Sequence, residues 1–197
     1  MHHEVRVLCV GNWTTGRRHF NGYSEDVYRG VQVTRLHMNW LRSPDPTRYL
    51  YENPVVSSFA QRYVAKWKPD VIHVTSCDRI SASVIPAVKK QNIPVVISLT
   101  DFWFVCPQTN LLRSDGRLCV GQTTAWECLQ CRLARTKIYR SLAAALPDSA
   151  LRSTLTWISS QPLLARQRGL RGLATDMSAR KRYLSIALEQ ADRVLIA

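Results

Sequence analysis

Residues 94–131, PVVISLTDFWFVCPQTNLLRSDGRLCVGQTTAWECLQC, decide how the rest of the chain is read. Val95, Val96, Ile97 and Leu99 make a nearly continuous, mostly β-favouring apolar run, the pattern of a parallel strand covered on both faces. Asp101 follows at the carboxyl end, where open α/β sheets place their ligand crevices. An aromatic wedge, Phe102 to Phe104, leads into Cys106, Cys119, Cys128 and Cys131, with twelve, eight and two residues between them.

Upstream, Val71 to Thr75 reads as a short strand and a helix starts near Ser81, so strand, helix and strand form a βαβ unit. Pro86 fits that helix only in its first turn. Asn53-Pro54 is a helix start, followed by Val56, Phe59, Tyr63, Val64 and Trp67 at helical spacing. His3 to Val10 and Val31 to His37 read as strands, and Asn12 to Arg29 as a long loop. Beyond Cys131 the pattern turns helical and basic, with a helix from about Ser178 to Gln190 and a last strand over Asp192 to Ala197. The 197 residues suit one domain, with a cysteine-rich loop at 101–131 and a basic helical region at 132–190.

The net charge is +13, and 132–182 holds eleven Lys or Arg against two acids, Asp148 and Asp176. Nucleic acid, an anionic membrane surface, a phosphorylated ligand or plain solvation each account for that bias. No leader of the secretory type opens the sequence, and no apolar run approaches the roughly 20 residues of a membrane span. A reducing, cytoplasmic setting is therefore expected, with peripheral contact at the inner face of the plasma membrane as an alternative. Six cysteines in such a setting are thiols or metal ligands before they are disulfides. The CxxC pair with two further thiolates suggests a structural zinc or iron–sulfur cluster at Cys106, Cys119, Cys128 and Cys131, against the reading of four packed thiols.

The runs PDVIHVTS (69–76), SASVIPAVKKQNIPVVISLTDFWFVCP (81–107), LLRSDGRLC (111–119) and CLQC resemble the N-terminal domain of family 4 glycosyltransferases, and ADRVLIA resembles the strand leading to their second domain. The resemblance implies a Rossmann-like, mostly parallel sheet with helices on both faces, shaping the acceptor side of a cleft. It implies sugar transfer from a nucleotide-sugar donor to a glycan or lipid-linked acceptor, with no catalytic cofactor and no nucleic acid. Against that pattern the expectation is of a chain without the first strand and the donor domain. No pair among Glu4, Glu25, Glu52, Glu127 and Glu189 has the donor domain's spacing of seven intervening residues. The expectation is a fragment that is inactive without its donor half. Its strands at Val5 to Val10 and Val71 to Thr75 should either pair directly or leave open edges. The alternative is a basic, metal-stapled nucleic-acid-binding module.

Asp101 is the candidate catalytic group, as general base or acceptor of a sugar hydroxyl, or else the cap of the following turn. His73, Thr100, Trp103 and Arg113 are the candidate acceptor contacts. For His73, mid-strand, a buried and hydrogen-bonded core position is the competing expectation. Trp103 competes as part of a hydrophobic plug, and Arg113 as part of an exposed turn. Many relatives carry histidine where Thr100 stands. Arg166, Arg168, Arg171, Arg180, Lys181 and Arg182 are candidates for anionic headgroups.

Overall fold

The computed structural model describes residues 3–11, 14–121, 124–161 and 176–196. The chain forms two compact units, Met1–Pro46 and Thr47–Ala197, each built on a three-stranded sheet. The architecture is α/β and Rossmann-like.

In the first unit β1 (Arg6–Val10), β2 (Phe20–Tyr28) and β3 (Val31–Met38) lie in the order β1-β3-β2. β1 runs parallel to β3 and β2 antiparallel to it. The long loop expected over Asn12 to Arg29 is corrected, because most of it is β2. Arg29 and Gly30 both have positive φ, 50° and 82°, the type I′ hairpin turn whose twist matches paired strands. Gly22, at φ 101°, sits where the β2–β3 register slips between Phe20 and Tyr23. Most of β2 is exposed on both faces, so it carries no alternating apolar signal.

The second unit follows the expected order. α1 (Pro54–Trp67) opens with the Asn53 side chain accepting from the amides of Val55 and Val56, and buries Val56, Phe59, Ala60 and Val64. β4 (Ile72–Val74), α2 (Val84–Lys89) and β5 (Val95–Leu99) complete the βαβ unit, with Pro86 inside the first turn of α2. β6 (Arg193–Ile196) pairs parallel along the other side of β5. Ile85, Val88, Val95, Ile97, Trp103, Leu184 and Tyr51 share one core, each large apolar side chain contributing about 1.5–3 kcal/mol by burial. Among the described residues β1 pairs only with β3, and β4 only with β5, so each leaves one edge open within its own unit.

After β5, the loop runs into α3 (Ala125–Leu133), α4 (Lys137–Ala145) and α5 (Asp148–Ser160). The cysteine-rich loop is therefore shorter than expected. Thr124 and Glu127 form a capping box that starts α3, so Cys128 and Cys131 stand on a helix rather than around a turn. α6 (Asp176–Glu189) turns Met177, Arg180, Leu184 and Ala187 inward. Arg180 is thus corrected as a headgroup contact: it is buried. Lys181 and Arg182 are exposed, and Arg166, Arg168 and Arg171 lie outside the described residues. Among the described residues no helix is long and apolar enough to cross a membrane.

Asp192 fastens β6. Its carboxylate accepts from Lys89 Nζ at 2.8 Å and from the Val95 amide at 2.7 Å. The Lys89 bond, then the Val95 bond, hold its pKa below the usual carboxylate range. A carboxylate stabilised in this way contributes fully above its unfolded pKa of about 3.9 and loses the contribution as pH falls through its lower folded value. Asp192→Asn is expected to lower the urea midpoint at neutral pH and to flatten its decline between about pH 5 and pH 2, measured by circular dichroism.

Candidate functional site

The carboxyl ends of β4 and β5 carry most of the polar candidates. Thr100 Oγ1 donates to the Thr75 carbonyl at 3.1 Å and ties the two strand ends together. Asp101 Oδ1 accepts the Trp103 amide at 2.8 Å, so the carboxylate does cap the turn. Asp101 remains exposed, and among the described residues Oδ2 has no protein partner. His73 is exposed, a correction to the buried position expected of it. Its Nε2 meets Ser98 Oγ at 2.8 Å, across β4 and β5 on the outward face of the sheet. The apolar neighbours Val74, Val95 and Ile97 point into the core instead.

Below Asp101 the aromatic wedge divides. Phe102 stays 49% exposed, while Trp103 and Phe104 are buried and meet edge to face at 5.2 Å. The Arg180 guanidinium lies over the Trp103 ring, 5.1 Å from its centroid, and donates to the Trp103 carbonyl. With its face taken, Trp103 acts as the plug; Phe102 is the aromatic open to solvent. Burial pulls the Arg180 pKa down to about 10, with Cys106 and Cys128 pushing it back up, so the group is a charged one at neutral pH. Cys77, just after β4, is buried, and burial followed by the Asp101 charge pushes its thiol up to about 12. It is an inert packed thiol.

All four cysteines of the organising stretch line one cavity of about 380 Å³, together with Gln108, Arg113 and Tyr139. Gln108 donates through its amide to Cys106 Sγ at 3.4 Å and through Nε2 to Cys131 Sγ at 3.0 Å. Cys119 is held by its N–H on the Leu111 carbonyl at 2.6 Å. Arg113 sits at the neck of an exposed turn closed by Gly116, whose φ is 82°. Asp101, Thr100 and His73 do not line this cavity. The candidates therefore separate into a polar strand-end group and a sulfur-lined chamber.

Two contributors escaped the sequence. Gln108 carries no pattern of its own. Arg180 did carry one: Met177, Arg180, Leu184 and Ala187 fall on one helical face, which places a cation on the buried side.

A family model described as a glycosyl transferase 4-like domain matches residues 1–151. No curated protein and no solved structure matches the chain.

The geometry separates structural from surface roles. Trp103→Ala is expected to destabilise the second unit by about 3–5 kcal/mol, and His73→Ala by less than about 1 kcal/mol, both read from urea unfolding curves.

Proposed function

The chain belongs to the glycosyl transferase 4-like family, and on that premise we propose that it forms the acceptor side of a sugar-transfer enzyme. A nucleotide-sugar donor is held by a separate donor domain, and a glycan or lipid-linked acceptor meets the strand ends of β4 and β5. The observation that carries this reading is the family match over residues 1–151. The exposed carboxylate of Asp101, at the end of a central parallel strand, supports the placement. In this reading Asp101 keeps one oxygen on the Trp103 amide and offers the other to an acceptor hydroxyl. It orients that hydroxyl and takes up its proton as the acceptor oxygen bonds the sugar's anomeric carbon. The bond from that carbon to the donor's phosphate oxygen breaks, and the nucleotide leaves with the electron pair. Thr100 and His73 flank the acceptor, and Phe102 supplies an apolar face. On this proposal the chain alone does not turn over an activated sugar.

The proposed setting is the cytoplasmic side of a membrane carrying the acceptor. The exposed Lys137, Ile138, Arg140 and Leu142 of α4 support peripheral contact, since cations and apolar side chains stand together there.

The test is binding of the chain to a panel of oligosaccharides and lipid-linked sugars, followed by amide chemical shifts. Acceptor binding should perturb residues 98–103, and Asp101→Asn, which keeps Oδ1 for the cap, should weaken it about 10- to 100-fold, the loss of a charged hydrogen bond. Turnover of a nucleotide sugar by the chain alone would contradict the proposal. So would binding to DNA that falls steeply with salt.

A further inference from the structure

Four thiols from two segments converge on one chamber. Cys128 and Cys131 are three residues apart on α3 and share a helical face. Cys106 follows the Trp103–Phe104 plug, and Cys119 leaves the exposed turn on its bond to Leu111. All four line the same cavity, and no disulfide involves any of the six cysteines. The amide and side chain of Gln108 already point N–H donors at two of the sulfurs, the bonds by which a protein tunes thiolates on a metal.

Charge supplies an independent argument. Arg180 is 9% exposed, and among the described residues no carboxylate pairs with it. Arg132, half-buried and one turn beyond Cys128, also lacks a carboxylate among the described residues. Buried cations persist where an anion compensates them. Arg180 and Cys128 line a shared cavity of about 20 Å³, which puts the cysteine cluster beside the buried cation.

The spacing selects among metals. A single zinc ion with Zn–S bonds of about 2.3 Å gathers its sulfurs to about 3.8 Å from one another. The cavity that the four cysteines line is about 380 Å³, far more room than one ion with its sulfurs drawn in around it leaves. A cluster of several irons and sulfides holds its four thiolates farther apart, around a core of its own.

We propose that Cys106, Cys119, Cys128 and Cys131 bind an iron–sulfur cluster, an anionic centre that fills the chamber between the Trp103 plug and α3 and compensates Arg180. Each thiol loses its proton as its sulfur bonds iron. The centre braces residues 106–131 and stands apart from the strand-end group, so it does not depend on the sugar-transfer reading.

The test is anaerobic purification of the full chain, with iron, acid-labile sulfide and zinc measured on the protein as isolated and after reconstitution with ferrous iron and sulfide. Iron and sulfide in equal amounts, with visible absorbance that dithionite bleaches, are expected. Cys128→Ser and Cys131→Ser should remove that absorbance, and Cys9→Ser should retain it. Arg180→Met should lower the reduction potential, because a nearby cation favours the reduced, more negative cluster. Stoichiometric zinc without sulfide would overturn the proposal, as would folded protein that takes up no iron on reconstitution. An unchanged potential in Arg180→Met would overturn the compensating role of Arg180. The metal and sulfide content of the unsubstituted chain decides the proposal even if the serine variants fail to fold.

Discussion

A guanidinium buried against an indole links the parts of the second unit. Arg180 comes from α6, lies over Trp103 and donates to its carbonyl. Trp103 is in turn fixed by its amide on Asp101, the first residue beyond β5. Strand end, aromatic plug, C-terminal helix and cysteine chamber are therefore coupled through two residues. The arrangement carries a large electrostatic burden, since a buried cation without a carboxylate is destabilising unless the ring and an anion offset it. Position also matters: the contact sits directly under the loop that presents Asp101.

That coupling explains how one short stretch serves two purposes. Above the plug, Thr100, Asp101 and Phe102 are exposed at the carboxyl ends of parallel strands, where open α/β sheets place their ligand crevices. Below it, the sulfur-lined chamber is lined by other residues, Thr100, Asp101 and Phe102 not among them. Stiffness in the lower part holds the upper part in place. In the role proposed for it, the Asp101 carboxylate gains from a turn that cannot drift.

How much of this was legible depended on whether a residue's role was local. α1 was readable from Asn53-Pro54 and its apolar spacing, and β4, α2 and β5 from short apolar runs with clear breaks, because caps, proline and burial on both faces all leave marks in the sequence. β2 was not readable, since a polar hairpin strand exposed on both faces has no apolar alternation. α3 was not readable although Thr124 and Glu127 spell a capping box, because Leu129 is its one buried side chain and no apolar stripe marks the helix. Asp101 was open between cap and catalytic group, and the cap is now seen alongside an exposed second oxygen. His73 was open between an acceptor contact and a core position, and strand alternation decides for the exposed face, opposite Val74. The burial of Arg180 was legible in the helical phase of α6, whereas its partner, 77 residues away, was not.

The most direct measurement is a double-mutant cycle on Trp103→Leu and Arg180→Met, followed by urea unfolding. If this pair organises the unit, the two substitutions should be non-additive, with a coupling of at least about 1 kcal/mol. Additivity within about 0.3–0.5 kcal/mol would show that the contact holds nothing together, and the account would fail with it.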